Sequence, residues 1–293
     1  MNKIKKIIRK GKVKILEGDS FTEVIKEKKK DLNDLFEYLS TREYFCFPDI
    51  ISTSDRTIKY KYYDKLKHDP PEKDIEFISS VALLHYKTIY YKEVSRKKYK
   101  DIYNTLIDNI DYLKDYYNKL IENIDNEVYM SPSNYLLARN YSVILKNFYY
   151  IEKELNKWYN LVKDKTKERV CIIHNNLKKD NFLMSSKNIL TGWDNYLVDT
   201  PILDLYKLYR NEYKNMDMES IFKKYIEINK LTKEEISLFN VMISMPSTIN
   251  ITNNEYKKVV EVKSILDYTY RTSNFINLGV FKELVNESNN KNK

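Results

Sequence analysis

The stretch from Val170 to Tyr209, VCIIHNNLKKDNFLMSSKNILTGWDNYLVDTPILDLYKLY, constrains the fold more than any other part of the chain. Val170 to Ile173 is a short apolar run with the length and branching of a buried strand, and it stops at His174, where a polar loop begins. Two more short apolar segments follow, and then Pro201 and Asp204 lead into helical spacing. The order is strand, polar loop, hairpin, helix.

The preceding sequence divides into two parts. Lys12 to Leu16 alternates polar and apolar residues, Glu17 to Ser20 is turn material, and Phe21 to Lys26 alternates again, which predicts a hairpin. Leu32, Leu35, Phe36 and Leu39 are spaced for a helix over Asp31 to Leu39, closed by Phe47-Pro48, and Thr57 to Tyr63 alternates as a further strand. Lys67 to Glu72, with Pro70-Pro71, reads as a hinge. The spacing then turns helical: Ile75, Ile78, Ala82 and His85 share a face, and a period of three to four runs from Ile102 to Ile124. Ser131-Pro132 is a cap followed by a first-turn proline, opening a long amphipathic helix through Val162. Residues 205 to 281 are again helical, and the polar tail beyond them is expected to fray.

Composition narrows the function classes. The net charge of +9 invites a polyanion partner, yet the lysines are scattered along a chain also rich in Asn, Ile and Tyr, so the excess reads as a solvated surface and nucleic acid is disfavoured. Two cysteines, Cys46 and Cys171, imply neither a disulfide framework nor a zinc site. No run of about 18 apolar residues is present, so no membrane span is expected, and a cytoplasmic protein is the reading. Four glycines in the whole chain are too few for a phosphate-cradling loop; Gly11 stands alone ahead of the first hairpin.

The spacing of His174, Asn176 and Asn181 resembles the phosphotransfer loop of kinases, in which a His is followed by a catalytic Asp and then by a metal-binding Asn. Asp199-Thr200-Pro201-Ile202-Leu203-Asp204-Leu205 is similar to the Pro-x-x-Asp-Leu segment that opens the next helix in the aminoglycoside phosphotransferase and choline kinase families, a group that includes the spore-coat kinase-like (CotS-type) proteins. The resemblance implies an α+β, two-lobe protein-kinase-like fold, with a small β-rich lobe over residues 1–66 and a large, mainly helical lobe over 67–293 carrying the catalytic-type loop.

It also implies roles. His174 braces the loop, and Asn176 stands in the position of the base. Asn181 is the metal-binding and nucleotide-side residue, and Asp204 bonds back to the loop backbone. Lys26 occupies the place of the phosphate-pairing lysine, with Glu37 as its helix partner, and ATP and Mg²⁺ are the cofactors such a site would take, bound weakly here. In Thr191-Gly192-Trp193-Asp194 the match puts Gly192 where the metal-binding Asp belongs. Asp194 lies two residues on, about 7 Å away on the same face of an extended strand, where it is the remaining candidate metal ligand. Asn176 hydrogen-bonds but accepts no proton as a carboxylate does. The leading expectation is therefore a pseudokinase with an unknown small-molecule or protein partner. The alternative is an atypical ATP-dependent small-molecule phosphotransferase using Asn176, Asn181 and Asp194. A basic polyanion-binding scaffold ranks third.

Overall fold

The computed structural model describes residues 4–11, 13–19, 21–66, 69–250 and 254–279. The polar tail, Lys12, Ser20, Lys67 and His68 lie outside them. The chain divides into two compact units, Met1–Tyr90 with Arg169–Lys230, and Tyr91–Glu168 with Leu231–Lys293.

In the first unit, β1 (Ile4–Lys10), β2 (Val13–Gly18), β3 (Thr22–Glu27), β4 (Ile50–Thr53) and β5 (Thr57–Lys61) form an antiparallel sheet in the order β1-β2-β3-β5-β4. The β2–β3 hairpin is in place with Val13 opposite Lys26, and Lys26 also lies opposite Ile58 of β5. Two of these strands carry no clear alternation in the sequence. β1 is a lysine-rich edge, and β4 is only four residues long, both being ways to blunt a sheet edge. α1 (Asn33–Thr41) buries Leu35, Phe36 and Leu39; it starts two residues after the expected Asp31 and runs two past Leu39, ending well before Phe47-Pro48, which therefore does not terminate it. Pro70 and Pro71 are not a connecting loop: they open α2 (Pro70–Thr88), where a missing N–H costs nothing in the first turn.

The other end of this unit is built by β7 (Lys167–Ile173), the two-stranded β8 (Phe182–Leu183) and β9 (Ile189–Leu190), and β10 (Leu197–Asp199), antiparallel to β7. α5 (Ile202–Glu212) and α6 (Met218–Ile228) complete it, and α6 packs on α2. Phe36, Tyr44 and His174 surround Trp193 with ring centroids 6.0, 6.3 and 4.8 Å away, joining the sheet side to the loop after β7.

The second unit begins at Tyr91, within the exposed β6 (Tyr90–Glu93), and its main elements are helices: α3 (Arg96–Asp125), α4 (Pro132–Val162), α7 (Lys233–Ser244) and α8 (Glu255–Asn277). α4 packs against the other three, burying Ile144, Phe148, Ile151, Leu155 and Trp158. The helix starts follow from capping side chains: Ser95 accepts from the Lys98 N–H, Ser131 from the Asn134 N–H, and Thr232 forms a capping box with Glu235. No helix among the described residues is long and apolar enough to cross a membrane.

Candidate functional site

The site is anchored by a buried carboxylate. Pro201 precedes the first turn of α5, and Ile202 and Leu205 turn that helix inward, which carries Asp204 to a position with no solvent exposure. A lone charge there would be very costly, so it must be matched by donors. Asp204 Oδ2 accepts from the His174 N–H at 2.7 Å, and Oδ1 accepts from the Asn175 N–H at 2.7 Å. Two successive N–H groups converge on one carboxylate because Asn175 adopts a left-handed conformation, φ 60°, which Asn tolerates better than most residues.

A third donor comes from α2. His85 Nε2 lies 3.1 Å from Asp204 Oδ2, and His85 Nδ1 lies 2.8 Å from the Tyr225 hydroxyl, whose oxygen accepts from Asn229 Nδ2 at 2.8 Å. With the Nε2–H tautomer every bond in this chain is satisfied: Asn229 donates to Tyr225, Tyr225 to His85, and His85 to Asp204. α6 thereby braces the loop through two intermediaries.

His174 is fully buried, its Nε2 3.0 Å from the Thr191 carbonyl and its ring edge-on to Trp193. Burial pushes its pKa down to about 4, against the smaller upward pull of Asp204. It is therefore a neutral brace, and its Nδ1 has no hydrogen-bond partner among the described residues.

The loop then folds back on itself. Residues Lys179–Asn181 make a single 3₁₀ turn, Asn181 Nδ2 donates to the Asn176 carbonyl at 2.8 Å, and the Asn181 carbonyl accepts from the Thr191 N–H at 2.8 Å. Asn176 and Asn181 are thus brought together, and Gly192 lies against both. A Cβ built at Gly192 would sit 3.1 Å from Asn176 Nδ2 and 3.3 Å from Asn181 Nδ2.

The backbone after Thr191 is not a strand. Gly192 is left-handed, φ 88°, and Trp193–Asn195 form a 3₁₀ turn, so the same-face relation expected of Gly192 and Asp194 does not hold. The turn instead sends Trp193 into the core and Asp194 to Lys26 of β3, with which it forms an ion pair. Lys26 and Asp194 are 18% and 17% exposed, so solvent screens the pair only partly. Glu37 is not the partner of Lys26. It follows Phe36 on α1, about 100° round from the buried stripe, and is exposed.

These groups edge a cleft of about 480 Å³, lined by Val13, Ile15 and Val24 from the sheet, by Leu183 and Ile189 from the β8–β9 pair, and by Lys26, Asn181, Thr191 and Gly192. Burial pushes the Tyr60 hydroxyl in its wall up to about 12, with Asp194 adding to the effect.

Whether this cleft suits Mg²⁺ is decided by its donors. Mg²⁺ asks for carboxylates in near-ideal octahedral geometry. The groups gathered around Gly192 are two amides and one carboxylate, Asp194, already bonded to an ammonium; Asp180 adds a second, exposed carboxylate to the cleft lining, and among the described residues no three His, Cys, Asp or Glu side chains form a metal cluster. The residues present do not fit the ion.

Sequence spacing singled out most of these groups, but not Tyr225 or Asn229, which meet His85 only through tertiary packing, nor the Thr191 carbonyl, a backbone group without sequence signature.

No family model matches the chain, and no curated protein matches it by sequence. Solved structures do match it. An aminoglycoside phosphotransferase from Alicyclobacillus acidocaldarius subsp. acidocaldarius superposes over 97% of this chain and 93% of its own, with a TM-score of 0.69 at 9% identity. A spectinomycin phosphotransferase in complex with AMP superposes over 96% of this chain and 90% of its own, with a TM-score of 0.50 at 12% identity. With its antiparallel N-terminal sheet and mainly helical remainder, the chain has the two-lobe, protein-kinase-like fold of the aminoglycoside phosphotransferases.

Proposed function

We propose that this chain is a pseudokinase: a kinase-like protein whose cleft binds a small molecule, nucleotides weakly, and transfers no phosphoryl group. The observation that carries the reading is the environment of Gly192. The position where the resemblance calls for a metal-binding carboxylate is a left-handed glycine pressed against Asn176 and Asn181, so an amide stands in the place of the base and a glycine in the place of the metal-binding acid.

Phosphoryl transfer is mostly positioning and charge neutralisation, with an oriented nucleophile. Asn176 can orient a hydroxyl but cannot take its proton. Asp194 is engaged by Lys26, so the cation that would pair phosphates and the anion that would hold a metal neutralise each other. What remains well formed is the scaffold: the Asp204 hub, the His174 brace and the Trp193 packing. A fold kept for shape keeps these.

The second reading, an atypical phosphotransferase using Asn176, Asn181 and Asp194, is favoured by one observation: Asp194 pairs with Lys26, which lines the cleft. ADP release from ATP by the purified protein, with and without Mg²⁺, separates the two. The pseudokinase reading expects the background rate in both. Mg²⁺-dependent release that Asp194→Asn abolishes would establish the enzyme.

A further inference from the structure

We infer that the cleft takes a nucleoside or a nucleoside monophosphate in preference to a di- or triphosphate, and takes it without a divalent cation. The inference rests on the pseudokinase reading and names its ligand.

A protein can hold a polyphosphate by a chelated metal, by a cradle of backbone N–H groups, or by free cationic side chains. The first route fails on the donors: Gly192 supplies no carboxylate and its neighbours are amides. The second fails on the strands. Val13 to Glu17 of β2 is paired on one side with β1 and on the other with β3, so its N–H groups belong to the sheet, and Gly11 is the one glycine of the preceding turn.

The third route is largely spent. Lys26 is paired with Asp194, and a phosphate reaching Lys26 must displace that carboxylate and then lie beside it with like charge. Of the other charged groups lining the cleft, Lys61 and Lys65 carry two positive charges and Asp180 one negative, leaving one positive charge in excess once the Lys26–Asp194 pair is included. That balance suits a group with about one and a half to two negative charges, the charge of a phosphate monoester at pH 7, far better than it suits a triphosphate.

The rest of the cleft is shaped for a flat apolar body. Val13, Ile15 and Val24 form one wall, Leu183 and Ile189 belong to the facing β8–β9 pair, and the volume of about 480 Å³ is in the range of small-molecule sites. A base between those walls would put its sugar toward polar groups that are either neutral or already paired.

Calorimetric titration of the intact protein with adenosine, AMP, ADP and ATP, and with the guanine series, each with Mg²⁺ or with EDTA, tests this. The expected result is that the nucleoside or monophosphate of one series binds at least tenfold tighter than its triphosphate, with constants unchanged by Mg²⁺. Tightest binding by a Mg²⁺-triphosphate overturns the inference; if ADP release stays at background, the pseudokinase reading survives that result. No binding by any member overturns the inference and, with it, the nucleotide part of that reading. Val24→Trp, which fills the slot from β3, should abolish nucleoside binding; unchanged affinity would put the ligand elsewhere and also overturn the inference.

Discussion

The carboxylate of Asp204 and the imidazole of His85 meet 3.1 Å apart with both side chains at 0% exposure, 119 residues separate them in the chain, and the same carboxylate holds the backbone of His174 and Asn175. Removing it would strand three buried donors at once. Asp204→Ala should cost on the order of 3 kcal/mol, because breaking a buried hydrogen-bonded charge leaves its partners unpaired. Urea unfolding followed by the fluorescence of Trp193 in a Trp158→Phe background measures this directly. Asp204→Asn should also destabilise, since its amide NH₂ must face a donor; an unchanged midpoint for both variants would remove the anchor role.

The pH dependence of stability has a defined window at His174. Its pKa is about 4 in the folded chain, held down by burial, against about 6.5 for an unperturbed histidine. The unfolded chain therefore binds the proton first as pH falls. Stability attributable to this group is complete above about pH 6.5, declines between about 6.5 and 4, and levels off below, a loss on the order of 3 kcal/mol. His174→Gln should flatten that segment of the pH profile relative to the wild type. Parallel profiles for the two proteins would contradict a neutral buried brace.

Much of this was legible in the sequence where the signal is local. The β2–β3 alternation, the α3 and α4 periodicities and the Ser131-Pro132 cap are each decided by residues a few positions apart, and each element formed. The order His174, Asn176, Asn181, Asp204 was also readable, because one loop and the start of one helix carry it. What could not be read depends on where a side chain points once distant elements pack. The resemblance offers Glu37 as the helix partner of Lys26, but the helix turns it outward. The resemblance sets the metal position at the end of a short strand, which implies an extended Gly192–Asp194, but a glycine after an apolar run can equally mark a left-handed turn, as it does here.

Gly192 offers a reversal. A new Cβ would meet the amides of Asn176 and Asn181, the latter held to the Asn176 carbonyl, so both must give by a few tenths of an ångström; Asp tolerates left-handed backbone better than most residues, and Gly192→Asp should fold at a cost of about 1 kcal/mol. It would place a carboxylate beside Asn181, and ATP binding in this variant should become at least tenfold tighter with Mg²⁺, worth about 1.4 kcal/mol. Calorimetry with Mg²⁺ or a chelator reads this; a folded variant with no metal effect would mean that more than one missing acid separates this cleft from a metal site.

The central claim is that the native cleft has lost its metal step, and the most direct test is titration of ATP into the wild type and Asp194→Asn, each with Mg²⁺ or with a chelator. The account predicts weak binding to the wild type with the same constant in both conditions, and no metal effect in Asp194→Asn, whatever the loss of the Lys26 pair does to the affinity itself. A wild-type enhancement by Mg²⁺ of tenfold, about 1.4 kcal/mol, that disappears in Asp194→Asn would contradict it and make Asp194 the metal ligand of a working site.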